Sequence, residues 1–137
     1  GPHIVSCTVT NNGGCVATES FTFNVVVQPK ITVPCVEDKC ISADEDPLAV
    51  TWNDVNATNS DGQDIVCTDD AGGSNVTVSG GVFPVGPHNV TCTVTNTGGC
   101  VAAESFTFSV VVQPTITVPC VEDKCISADQ DPLAVTW

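Results

Sequence analysis

The chain has 137 residues, with 16 acidic side chains against three lysines and no arginine, and a formal charge of −13. Recognition of phosphates and anionic headgroups needs basic side chains, so nucleic acid and an acidic membrane surface are excluded as partners. Nine cysteines in a chain with few charges point to an oxidising, extracellular compartment, and no run approaches the ~20 apolar residues of a membrane span.

Residues 1–52 recur at 86–137 with seven differences: Ile4/Asn89, Ser6/Thr91, Asn12/Thr97, Thr18/Ala103, Asn24/Ser109, Lys30/Thr115 and Glu45/Gln130. This offset of 85 predicts three segments: 1–27 as the C-terminal part of one repeat, 28–112 as a complete repeat, and 113–137 as the N-terminal part of the next. A unit this long should fold as a bead with its own core, not as a layer of a solenoid. On this division the chain is a window on a longer tandem array.

No segment has helical periodicity, whereas alternation is frequent. In chain order, "PLAVTW" aligns Leu48, Val50 and Trp52, "DIVC" aligns Ile65 with Cys67, and "SNVTVSG" aligns Val76 with Val78. "HNVTCTVTN" puts Val90, Cys92 and Val94 on one face, and "ESFTFSVVV" does so for Phe106, Phe108, Val110 and Val112. "ITVPC" then aligns Ile116, Val118 and Cys120. Turn signals separate the runs at "SDGQ", "DAGG", "SGG", "FPVGP" and "NTGGC". About six or seven short strands per period predict an all-β fold of immunoglobulin-like β-sandwich repeats, stabilised by disulfides. Val111 falls on the outer face, either as a lone exposed valine or as the seat of a neighbouring bead. Pro29 and Pro34, with Pro114 and Pro119, should stiffen the junctions.

Three sequons begin at Asn56, Asn75 and Asn89. Val76 and Val90 point inward, so Asn75 and Asn89 point outward, and Asn56 falls in an expected loop. The acidic groups contain calcium candidates at Asp44, Asp46, Asp61 and Asp64, although no stretch has the spacing of a calcium loop. Cys35 and Cys40 have the spacing of zinc ligands, but the unit supplies a single histidine and no second close pair. That histidine, His88, stands at a strand start without a nucleophile elbow and reads as a surface residue. The carboxylates lack an apolar setting that would tune them for acid catalysis. A non-enzymatic chain without a cofactor is expected, calcium being the one ion considered.

The run "VFPVGPHNVTCTVTNTGGCVAAESFTFSVVV" resembles the hyalin repeat. The matching features are the Phe83-Pro84-Val85-Gly86 turn, the strand Val90–Val94, the turn Asn96–Gly99 and the closing strand Phe106–Val112. "PLAVTWNDVNATNSDG" is similar to another segment of that family, whereas "CVEDKCISADEDPLAV" is shorter than the family's and Cys100 replaces an asparagine. The resemblance implies non-catalytic extracellular modules of the immunoglobulin-like class, found in adhesive matrix layers and tandem arrays.

Cys35, Cys40, Cys67, Cys92 and Cys100 make an odd number per unit, leaving one thiol to stay free or to bond elsewhere. Strand phase and the resemblance together favour a Cys67–Cys92 bond, with Cys100 then pairing with Cys35 or Cys40. The expected function is a structural repeat of a glycosylated fibre or matrix layer that associates with itself. An adhesion module of a receptor ectodomain is the alternative.

Overall fold

The computed structural model describes residues 1–120 and Asp123, so most of the expected next repeat at 113–137 lies outside the described residues. Described residues form strands β1 (Pro2–Thr10), β2 (Val16–Asn24), β3 (Lys30–Thr32), β4 (Lys39–Ile41), β5 (Leu48–Thr51) and β6 (Asn56–Thr58). They continue with β7 (Val66–Asp69), β8 (Ser74–Thr77), β9 (Gly80–Phe83), β10 (Gly86–Thr95) and β11 (Val101–Val112). A single 3-10 turn at Ala43–Glu45 is the one helical element among the described residues.

The strands make a four-stranded sheet ordered β4-β11-β10-β7, a three-stranded sheet β5-β9-β8, and the pairs β3-β6 and β1-β2. All neighbours are antiparallel except β4, which runs parallel to the end of β11. Side chains alternate across a pleated strand, and β10 accordingly buries His88, Val90, Cys92 and Val94 in succession. Phe106, Phe108 and Val110 of β11 share that side.

Trp52, just after β5, joins the sheets. Its ring meets Phe106 edge-on at 5.1 Å and lies 5.7 Å from Phe83, while its Nε1 donates to the Val78 carbonyl oxygen at 3.0 Å. Phe83 in turn meets Phe108 edge-on at 4.9 Å. Such aromatic pairs each add about 0.5–1.5 kcal/mol beyond the area they bury. A disulfide joins Cys67 of β7 to Cys92 of β10, directly opposite in the register with Cα atoms 4.0 Å apart. It links neighbours in one sheet, across a loop of 25 residues, which is worth about 3 kcal/mol by restriction of the unfolded chain.

Several expectations are corrected. Asn56 lies in strand β6, not a loop, because β3 pairs with it from Lys30↔Thr58 to Thr32↔Asn56. The "SGG" to "FPVGP" region contains β9, which lies between β5 and β8. Val112 is exposed, since the core ends at Val110. Residues 116–120 form no strand, and Ile116 and Val118 are exposed.

The hairpin β1-β2 has the register of β10-β11: His3↔Phe23 and Val5↔Phe21 in one, His88↔Phe108 and Val90↔Phe106 in the other. Its surroundings differ completely. Phe106 and Phe108 are 8% and 3% exposed, whereas Phe21 and Phe23 are 56% and 46% exposed. Phe108→Ala should therefore destabilise the fold by about 3–5 kcal/mol in urea unfolding, as a cavity in a packed core does. Phe23→Ala, the same change in the other copy, should stay within about 0.5 kcal/mol of wild type in dilute solution.

Candidate functional site

Two constellations in the bead are built from several elements. The first is the segment after β2, where residues 26–28 run against the turn between β10 and β11. The turn between β10 and β11 is closed by Asn96: its backbone N–H donates to the Cys100 carbonyl oxygen at 3.0 Å, and its Oδ1 accepts the Cys100 N–H at 2.9 Å. Gly99 takes φ +80°, a conformation that disfavours side chains. The same turn forms in the first copy, where Asn11 Oδ1 accepts the Cys15 N–H at 3.0 Å.

Only the second copy of this turn has the incoming chain laid against it. Asn96 Nδ2 donates to the Val27 carbonyl oxygen at 2.8 Å, and Gln28 Nε2 donates to the Val101 carbonyl oxygen at 3.1 Å. Val26 fills the space over Gly98, where any Cβ would overlap its side chain. Asp61, from the turn after β6, accepts from Thr97 Oγ1 at 2.6 Å and from the Thr97 N–H at 3.2 Å. Val26 is the repeat counterpart of Val111, so the outward valine of one copy is a packing residue at the next turn.

The second constellation is internal. His88 is buried, not at the surface as its position at a strand start suggests. Its Nε2 lies 2.8 Å from the Pro84 carbonyl oxygen and its Nδ1 lies 2.9 Å from Asp69 Oδ2. Both ring nitrogens thus face oxygen atoms of neighbouring elements, one from a backbone carbonyl and one from a carboxyl group. Asp69 also accepts N–H groups from Gly73 at 2.7 Å, Ala71 at 3.2 Å and Asn89 at 3.2 Å. Burial acts to raise the Asp69 pKa, but the His88 hydrogen bond, the backbone donors of Gly73 and Ala71 and the electrostatic influence of His88 outweigh it and hold the carboxyl below its ordinary range. Sequence reasoning missed this pair although a signal was present: His88 is in phase with Val90, Cys92 and Val94, the inward set.

The other predicted positions are scattered. Asn56 and Asn75 are exposed and Asn89 is partly so. Asn75 adopts φ +51° at the irregular pairing of β8 with β9, a conformation that asparagine tolerates. Asp46 accepts the Val85 N–H at 2.9 Å, Asp61 is engaged at the junction, and Asp44 and Asp64 are exposed. Among the described residues no three His, Cys, Asp or Glu side chains gather as metal ligands, so the four calcium candidates are not brought together. Cys100 is half-buried and Cys35 and Cys40 are exposed, all three as free thiols, so the expected bond from Cys100 to Cys35 or Cys40 is not formed. Cys100 sits beside the turn that receives the incoming chain, while Cys40 is held in β4 at the opposite end of β11.

Two measurements probe these constellations. A carboxyl with a depressed folded pKa stabilises the fold above the ordinary carboxylate range and loses that contribution as pH falls through the folded value. Asp69→Asn should therefore melt lower than wild type at neutral pH, and the gap should narrow as pH drops below about 4. Gly98→Ala should displace Val26 and speed amide exchange at residues 25–28 with little change in the melting of the bead. Unchanged exchange would show that this contact does not hold the junction. No family model, no curated protein and no solved structure matches the chain.

Proposed function

We propose that this chain is a stretch of a tandem array of 85-residue beads that serves as a non-catalytic structural repeat of an extracellular, glycosylated fibre or matrix layer. Each bead is an immunoglobulin-like β-sandwich similar to a hyalin repeat, its disulfide placed within one sheet. The observation that carries this reading is the junction: the segment leaving one hairpin is seated by Val26, Val27 and Gln28 on the Asn96–Val101 turn of the following bead. A link tied by side-chain and backbone contacts limits the freedom between beads, as a stiff array requires. Repetition of one junction from bead to bead generates a regular helical arrangement.

Further features support it. The Cys67–Cys92 disulfide fits an oxidising compartment, and no helix among the described residues is long and apolar enough to cross a membrane. Asn56, Asn75 and Asn89 are each open enough to carry a glycan. The buried histidine, His88, has both ring nitrogens engaged by structural partners.

Electron cryo-microscopy of the native material tests the proposal. The expected result is a filament with one bead per axial step of about 35–45 Å, judged from strands of up to ~10 residues and their loops, with added density on Asn56, Asn75 and Asn89. Flexible strings without lateral order would overturn it in favour of an adhesion module.

A further inference from the structure

We propose that the open edge of β11, centred on Ser105, is a docking site for the same edge of a second copy of this chain, the two strands pairing antiparallel about a two-fold axis. The contact is built from the complete bead. It rests on the array reading only for its consequence, that repeated beads zip neighbouring arrays into a layer.

Strand β11 lies inside the sheet order β4-β11-β10-β7, yet β4 pairs with it only over Val110–Val112. Backbone groups of successive residues in a strand point to opposite edges. Three bonds mark the side of β11 away from β10. The Ser109 N–H donates to Asp38 Oδ1 at 2.7 Å, the Val101 carbonyl oxygen accepts from Gln28 Nε2 at 3.1 Å, and the Gln113 N–H donates to the Ile41 carbonyl oxygen at 2.8 Å. Odd-numbered residues thus direct their N–H and C=O groups to this edge. Of these, Ala103, Ser105 and Thr107 have no backbone partner on that side among the described residues, and all three are exposed. Edge strands are ordinarily blunted by lysine, proline, a bulge or shortness. Strand β11 has 12 residues and pairs with β10 without a register shift, and from Val101 to Ser109 it contains no proline and no lysine.

An edge of unpaired N–H and C=O groups takes an extended strand, and this one fits its own kind. Gln28 at Val101 and Asp38 at Ser109 cap the open stretch symmetrically about Ser105. An antiparallel pair about a two-fold axis at Ser105 sets Ser105 opposite Ser105 and Ala103 opposite Thr107. The open residues of each copy then meet those of the other and exchange backbone hydrogen bonds at every opposed pair. Val101 falls opposite Ser109, which brings the Gln28 amide of one copy towards the Asp38 carboxylate of the other. The side chains of Ala103, Ser105 and Thr107 are small, and the sheet already pairs hydroxyls across its strands, with Thr91 Oγ1 lying 2.9 Å from Ser105 Oγ. Charge selects the same edge. The chain carries −13 in all, but Glu104 is the one charged residue from Val101 to Ser109. Its counterpart in the other copy lies diagonally across, at about 7–8 Å. Two acidic copies therefore meet here with little repulsion, whereas a basic foreign strand finds a single carboxylate in the stretch to select it.

Sedimentation velocity on chain 1–137 at physiological salt, across roughly 0.01–1 mM, tests the contact, with salt screening the repulsion between copies. The repeat counterpart of Ser105 is Ser20 in β2, so each change is made at both positions. Wild type should gain mass with concentration. Ser105→Asp with Ser20→Asp, and Ser105→Lys with Ser20→Lys, place like charges directly opposite and should each weaken association at least about fivefold. Mixed in equal amounts, the two variants set opposite charges across the axis and should associate at least as strongly as wild type. Both serines are exposed, so each variant should melt as cooperatively as wild type, which separates a lost contact from a lost fold. A wild type that stays monomeric, variants that each associate as wild type does, or a mixture that stays apart would overturn the contact. Those results leave the array reading standing, because its beads are joined by the chain itself and its failure shows as an absence of filaments in the native material.

Discussion

The apolar face of a two-stranded hairpin cannot bury itself, and this constraint organises the molecule. In β10-β11 the face is covered by strands from the other half of the bead, with Trp52 and Phe83 lying against Phe106 and Phe108. In β1-β2 the same residues in the same register remain in contact with solvent. The two hairpins share one pattern of strand pairing. Packing against a second layer is what turns one of them into a core.

Covering that face also organises the polar parts of the bead. Once β10 is pressed inward, His88 is carried with Val90 and Cys92 away from water, and a buried imidazole needs partners for both nitrogens. Asp69 and Pro84 supply them, and Asp69 ties the β7–β8 turn to β10 through its backbone acceptors. The disulfide between Cys67 and Cys92 links the same two strands a short distance along the register. The edge of the four-stranded sheet is thus held by a covalent bond and a buried side-chain hydrogen bond close together. Removing His88 would leave the buried Asp69 carboxyl without its side-chain partner, which costs more than the contact itself stabilises.

At the other end of the hairpin the β10-β11 turn has two duties. Asn96 closes it and also reaches outward to hold Val27, and Gly98 leaves the space that Val26 occupies. A larger residue at position 98 would overlap the Val26 side chain seated there. The exposed first copy of this turn, Asn11–Gly14, makes the same internal bonds with nothing laid against it.

Much of the fold and part of the site were legible in the order of residues. Period-two alternation identified β10, β11, β5 and β7, and the 85-residue offset showed that the first hairpin repeats the last. Strand phase put Cys67 and Cys92 on inward faces, and their side chains meet there. Strands β4, β6 and β9 were not legible, because three- or four-residue strands have little periodicity of their own and exist through the neighbours they pair with. The thiols of Cys35, Cys40 and Cys100 and the carboxylates of Asp44, Asp46, Asp61 and Asp64 were equally beyond sequence spacing. Meeting in space depends on which turns end up adjacent, and those turns lie at different places on the bead. Sequence by itself determined the strand-rich character, the repeat and the inward phase of the longest strands, since each depends on local geometry. Only the tertiary structure decided which residues cover the inward face of β10-β11, because burial belongs to the pair of surfaces and not to either alone.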